Sequence, residues 1–519
     1  MQRVCKGGAM YKSKEKCFII NVIVTVVFSL SIPVGALGAD MAIMEELGKQ
    51  LFFDKNLSHP KGRQSCASCH DPKVGLTAPD RRVNRRGGVM PGAIKSRFGA
   101  RKVPTATYAT FSADFSPDGG FGGAPEGGTF WDGRATGDVV TTRIFPDAWK
   151  GTPLWDEMAA KDTPAVDQAM GPFLNDVEMN LPSAVALCKR VASSRYVHLW
   201  KRAWDEPINC STARAPVAAE DGLLDLTHAD LTHQRIAFAI GVFEDTLNTF
   251  SSKRDIALLT DEDGAFPLDD FKYKENLGHD LFYDRTNSCA AFCHSSSFGA
   301  DGTALQELYT PDGGSGYFNL GGPRNPANPF YRMDRVRDDN GNPINPEGRD
   351  FVDLGLGGRD DDGDGVPDFE GEEGKFKIPT MRNLFTRNFP RAYFHNGYFK
   401  SLKGVVHFYN TRDMKPVCAN KKGKPQRFVT ERRALRKGCW PQPEVLSENI
   451  FDCDAGENCK VVLAEGETFD TYCDNPDNVR DIGNLCLTEE EEDAIVAYLK
   501  TLTDTVIIKP PKKKWQHNK

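Results

Sequence analysis

Cys66-Ala67-Ser68-Cys69-His70 constrains this chain more than any other stretch. C-x-x-C-H is the attachment signature of a c-type haem. Two thiols on one short turn can add to the two vinyl groups of one porphyrin, and the adjoining imidazole is carried under the iron as its proximal ligand. The alternative uses of such a cluster are a disulfide or a zinc half-site with a neighbouring histidine. A bound haem directs the protein to redox chemistry or gas binding.

A second, imperfect copy lies downstream, Cys289-Ala290-Ala291-Phe292-Cys293-His294, with three residues between the cysteines. Positions i and i+4 still share one face of a helical turn, so both thiols could reach vinyl groups. A single thioether, a local disulfide or a metal site are the other readings. Two motifs in 519 residues agree with a duplicated haem unit and with two or three domains.

Compartment follows from the first residues and from the cysteines. Arg3, Lys6, Lys12, Lys14 and Lys16 precede an apolar run from Phe18 to Leu30, and small residues follow through Ala36, Gly38 and Ala39. This is the layout of an export signal over residues 1–39, cleaved near Ala36 to Ala39 or retained as an anchor. Of 14 cysteines, two fall in the signal and four in the haem motifs. The remaining Cys188, Cys210, Cys418, Cys439, Cys453, Cys459, Cys473 and Cys486 are an even set in an exported protein, which implies disulfides, most simply between sequence neighbours. The expected location is the periplasm. A net charge of −7 argues against nucleic acid as the partner.

The periodicity is helical. Met44, Leu47 and Leu51 form one apolar stripe, and Ile236, Ile240, Phe243 and Leu247 another. Thr488 with Glu491 makes a capping box ahead of Ile495, Leu499 and Leu502. The predicted fold is mainly α, with two cytochrome c-like haem domains, long loops and a cysteine-rich insertion. The domains are expected at 40–250 and 251–507, with the insertion at 411–487 and a basic tail at 508–519. Asp245 to Phe266 loses periodicity and reads as a linker. Asp360, Asp362, Asp364 and Asp368 alternate around Gly365, the way one loop gathers oxygen ligands for calcium, or else a solvated acidic loop. A basic run including Lys421, Arg432, Arg433, Arg436 and Lys437 could dock a protein or be a solvated face.

Several segments resemble the bacterial di-haem cytochrome c peroxidase family and its MauG-type branch. They are Leu47-Gly48-Lys49-Gln50-Leu51-Phe52-Phe53-Asp54, Phe130-Trp131-Asp132-Gly133-Arg134, Gln168-Ala169-Met170-Gly171-Pro172 with Val177-Glu178-Met179-Asn180, Ile378-Pro379-Thr380-Met381-Arg382-Asn383, and Tyr393-Phe394-His395-Asn396-Gly397. The resemblance runs from about Met44 to Thr503 and implies two covalent haems. It implies that hydrogen peroxide reacts at the His70 haem, with Glu178 as catalytic acid and Gln168 as its polar neighbour. It implies that the His294 haem stores or relays an oxidising equivalent, and that Trp131 carries charge between the two; otherwise Trp131 is a buried core residue.

Tyr409 stands where many such peroxidases place a methionine ligand, which is the MauG-type arrangement. Residues 94–105, where a blocking histidine would lie, contain none, so the first haem is expected to be open. Three features depart from the family: the C-x-x-x-C-H spacing, Lys102 where an Asn usually serves an interdomain calcium, and the cysteine-rich insertion together with a long loop between Trp131 and Gln168 that holds Trp149 and Trp155. The expected partners are peroxide and either a small redox donor (cytochrome c or a copper protein) or a protein substrate. A passive electron carrier is the contrasting class, and Glu178 argues against it.

Overall fold

The computed structural model describes residues 40–120, 123–216, 226–260, 265–283, 294, 316–446, 469–474 and 482–511. The signal segment, Cys289, Cys293, Cys453, Cys459 and most of the basic tail lie outside the described residues.

Helix formation begins at Asp40, whose carboxylate accepts from the Ala42 N–H and caps α1 (Met41–Phe53). There follow α2 (Cys66–Cys69), α3 (Arg81–Arg85), α4 (Pro153–Ala159), α5 (Pro164–Leu174), α6 (Ala184–Ala192), α7 (Val197–Trp204) and α8 (His228–Asp245). The series continues with α9 (Lys253–Thr260), α10 (Tyr273–Tyr283), α11 (Leu402–Thr411), α12 (Glu431–Lys437), α13 (Phe469–Asp474) and α14 (Glu489–Thr501). Among the described residues the only sheet is a two-residue antiparallel pair, β1 (Tyr317–Phe318) with β2 (Phe376–Lys377). The mainly helical expectation holds, and no described helix is long and apolar enough to cross a membrane.

The predicted stripes are buried. Met44, Leu47 and Leu51 meet Ile236, Ile240 and Phe243 in one apolar cluster. Ile495, Leu499 and Leu502 lie in a second cluster with Leu258 and Phe282, and the Thr488–Glu491 capping box forms. The two clusters are built alike. A Cβ on Gly48 would lie 1.7 Å from the Ala239 carbonyl oxygen, so α1 crosses α8 backbone against backbone. A Cβ on Gly278 would lie 1.9 Å from the Ala494 oxygen, where α10 crosses α14. Both glycines sit in one repeated pattern, Leu-Gly-x-x-Leu-Phe-x-Asp, at 47–54 and 277–284. The repeat is what a duplicated unit would leave in the sequence.

Two expectations need correction. Asp245 to Phe266 is not all linker, because it contains α9. Its inward face includes an ion, not only apolar side chains: Asp255 is buried and receives two bonds from the Arg382 guanidinium, at 2.8 and 2.7 Å. A hydrophobic-period search passes over such a helix. The predicted long loop between Trp131 and Gln168 is likewise not loop throughout, because it contains α4. Trp149 stacks on Trp204 with centroids 5.6 Å apart, and both are core residues.

The Arg382–Asp255 pair belongs to a polar knot that gives the Ile378–Asn383 signature its physical meaning. Asn383 donates to Thr107 and to Asp504, and the Tyr108 hydroxyl also reaches Asp504. Residues from four distant stretches thus meet at one point. Three disulfides follow the nearest-neighbour pairing: Cys188–Cys210, Cys418–Cys439 and Cys473–Cys486.

Candidate haem cavity

The first motif folds as one turn. The Ser68 hydroxyl accepts from the Ser65 N–H, and the His70 N–H donates to the Cys66 carbonyl at 2.8 Å. Cys66 and Cys69 share a face at i and i+3. They are the free thiols among the described residues. Burial pushes both thiols up, Cys69 to about 12, so neither is a reactive thiolate. The His70 Nδ1 meets the Leu76 carbonyl at 3.1 Å, which leaves Nε2 for a ligand and fixes the ring. Burial pulls the His70 pKa down to about 4, so the imidazole is neutral and ligand-competent at ordinary pH.

A cavity of about 470 Å³ opens here, and it is lined by Cys66, Cys69 and His70 together with His294 and Tyr409. The His294 Nδ1 is buried and has no hydrogen-bond partner among the described residues, and burial draws this pKa down to about 4 too. Tyr409 projects from α11, between Phe394 and Phe408. Two free thiols, two buried neutral imidazoles and a phenol on one apolar cavity fit haem c. Beyond Cys69 and His70 the lining is mostly aliphatic and aromatic, as a porphyrin requires.

Glu178 and Gln168 line the same cavity. Gln168 is carried by α5. The segment after Pro172 folds back on that helix, with the Met179 N–H on the Pro172 carbonyl and the Leu181 N–H on the Phe173 carbonyl. Glu178 is thereby held beside α5. Its backbone is clamped from the other side, since the Ala93 N–H donates to the Glu178 carbonyl at 2.6 Å. Gly92 permits that approach, because a Cβ there would stand 2.4 Å from the Val177 oxygen. Burial raises the Glu178 carboxyl above its ordinary range, and Arg134 partly offsets the rise. A carboxyl that exchanges its proton more readily near neutrality suits general acid–base work.

Trp131 is a cavity wall and is pinned from two directions. Its indole N–H donates to the Lys102 carbonyl at 2.9 Å, and its own carbonyl receives the Lys377 N–H. The ring meets the edge of His395, which in turn stacks on Phe376. Behind it, Arg101 bridges the buried Asp132 and Asp353. Burial opposes those charges, but Arg101 outweighs it and holds Asp353 down to about 2. Lys102 donates to the Val103 carbonyl, and burial, aided by Arg391 and Lys400, lowers its ammonium to about 7. Sequence reasoning flagged Lys102 only as a departure and missed the Arg101 bridge. The Asp in Phe130–Arg134 was the one available hint.

Away from the cavity, the carboxylates of Asp360, Asp362 and Asp368 converge within 4.8 Å on an exposed loop, and Asp364 is outside that group. Backbone N–H groups of Gly363, Gly365 and Asp361 already bond Asp360 and Asp368.

Fold and cavity together fit a c-type haem protein. A family model described as "Di-haem cytochrome c peroxidase" matches residues 43–263. The chain is 28% identical over 461 residues to "Methylamine utilization protein MauG" of Paracoccus denitrificans, covering 88% of each. It is 26% identical over 374 residues to "Cytochrome c551 peroxidase" of Nitrosomonas europaea, covering 72% of this chain and 75% of the relative. The crystal structure of the diheme peroxidase BthA from Burkholderia thailandensis superposes with a TM-score of 0.54 at 21% identity, over 91% of this chain and 88% of that one. The chain is thus similar to the di-haem cytochrome c peroxidase family through its first half and to MauG and cytochrome c peroxidase relatives over most of its length.

Proposed function

We propose that this protein is an exported, periplasmic di-haem peroxidase that reduces hydrogen peroxide with electrons from a small redox protein such as a cytochrome c or a copper protein. One peroxide, two protons and two electrons give two waters, and each electron leaves one reduced donor. Bound haem iron supplies the redox chemistry of O–O cleavage. The remaining work falls to side chains. Cys66 and Cys69 would attach one haem and Cys289 and Cys293 the other. His70 and His294 would each hold one iron, and Tyr409 would be a further ligand of the second. The Glu178 carboxyl takes a proton from one peroxide oxygen and returns it to the departing one. The Gln168 amide orients the substrate, and Trp131 carries charge between the two sites.

One observation carries this reading: a single cavity is bordered by Cys66, Cys69 and His70, by the buried Glu178 carboxyl, and by His294 and Tyr409. Steady-state oxidation of reduced cytochrome c by peroxide tests it, and no turnover would overturn it. A second reading, oxidation of side chains in a partner protein, is favoured by Tyr409 and by the MauG relative. Mass-spectrometric detection of new oxidations in a co-expressed partner separates the two. Calcium at Asp360, Asp362 and Asp368 is a structural addition to either reading, checked by calorimetric titration with the ion.

A further inference from the structure

The cysteine-rich insertion begins with a basic module whose position the proposed chemistry does not use. Eight Lys and Arg side chains between Lys421 and Lys437 are all exposed. The only carboxylates from Thr411 to Leu446 are Asp413, Glu431 and Glu444. Each is committed elsewhere. Asp413 pairs with Arg412. Glu431 is buried and accepts the Lys400 N–H. Glu444 faces Arg324 and Asn396. Among the described residues none of the eight cations makes an ion pair, in a chain whose net charge is −7.

The module is cross-linked at its base. The Cys418–Cys439 disulfide ties the start of the hairpin around Asn420–Lys424 to the end of α12. The Cys418 N–H also donates to the Trp440 carbonyl, and the Gln442 N–H to the Gln426 carbonyl. Beneath the cations lies one aromatic layer. Trp440 is 3% exposed, meets Phe408 edge to face at 5.1 Å, and bonds Thr411 through its indole N–H. Phe408 precedes Tyr409 on α11. The same cluster packs against Phe394, Val405 and Tyr409, all of which line the haem cavity. The buried side of the module, Cys418, Val429, Ala434, Cys439 and Trp440, therefore shares one apolar cluster with cavity-wall residues at the Tyr409 end.

We infer that the cystine-pinned basic face of the 418–437 module is the docking surface for an acidic, one-electron donor protein. This rests on the peroxidase reading above and adds to it the partner's charge and its place of contact. Each docking event delivers one electron, the donor being oxidised by one unit, and two such events serve one peroxide. Exposed cations on one module attract an acidic protein and steer its approach without a deep pocket.

The test compares the haem-loaded full chain with R432E/R433E/R436E/K437E. These four side chains are exposed and outside the cavity, so the variant should keep its haem spectrum and its peroxide turnover with a neutral hydroquinone donor. Reduced plastocyanin serves as the acidic probe and mitochondrial cytochrome c as the basic one. Calorimetry and stopped-flow mixing read binding and donor oxidation at low and high salt. Charge reversal should weaken plastocyanin binding and slow its oxidation by ~10- to 1000-fold at low ionic strength, with the gap closing at high salt. Cytochrome c should show no such loss. Unchanged plastocyanin binding in the variant would overturn the surface assignment while leaving peroxidase activity intact. Equal affinity for soluble polyglutamate would overturn it too, by showing a face for any polyanion. Loss of hydroquinone turnover in the wild-type protein would instead sink the peroxidase reading.

Discussion

Replacing Gly48 with alanine tests the packing that carries the first haem site, and the sign of the effect is diagnostic. In an open helix interior, glycine to alanine stabilises by about 1 kcal/mol through helix propensity. At Gly48 the new Cβ would lie 1.7 Å from the Ala239 oxygen and 2.8 Å from the Phe243 Cβ. Ordinary contact begins near 3.4 Å, so α1 must withdraw by well over an ångström. The withdrawal would loosen contacts of Leu47, Leu51 and Phe52, each nearly inaccessible to solvent. Overpacking of this kind costs roughly 1–3 kcal/mol, enough to outweigh the propensity gain. The expected result is a lower thermal midpoint for the haem-loaded protein and weaker retention of the His70 haem, since α8 also carries Ile240 and Glu244 to the cavity. Gly278→Ala should do the same through α14, acting on the second site. A Gly48→Ala protein as stable as the parent, or more so, would refute the close crossing.

Glu178→Gln should slow the reaction with peroxide by roughly 10²–10⁴-fold with haem content unchanged. Because burial raises this carboxyl, the base form is lost as pH falls through a value above the ordinary 4.5. The acid limb of the rate profile should therefore sit above that pH and vanish in the Gln variant. Tyr409→Phe should remove the low-spin ferric signal seen by electron paramagnetic resonance, and an unaltered spectrum would exclude the ligand assignment. Trp131→Phe should leave both haems bound while impairing charge sharing between them in rapid-mixing spectra; sharing at the original rate would reduce Trp131 to packing. Arg382→Met should cost about 3–5 kcal/mol by stranding the buried Asp255, whereas the double variant R382M/D255L should recover much of it in a denaturant titration.

What was legible from the chain alone is what short-range chemistry dictates. The C-x-x-C-H turn needs only local geometry, and Cys66, Cys69 and His70 occupy the turn it calls for. Apolar stripes report burial directly, so α1, α8 and α14 were readable, and so was the Thr488–Glu491 cap. Disulfides between near neighbours follow because short loops close most readily. Other features depend on partners hundreds of residues apart. No window of sequence pairs Arg382 with Asp255, or sets Arg101 between Asp132 and Asp353. α9 stayed hidden because its buried face is partly ionic. The close crossings at Gly48 and Gly278 left a repeated pattern, but only the opposing backbone shows why the residue must be glycine. The exposed face of the 418–437 module gains its significance the same way. Its charges are plain in the sequence, and its place over Trp440 and Tyr409 is decided by a chain that returns there from a distance, since side-chain layering is a property of packing and not of order along the chain.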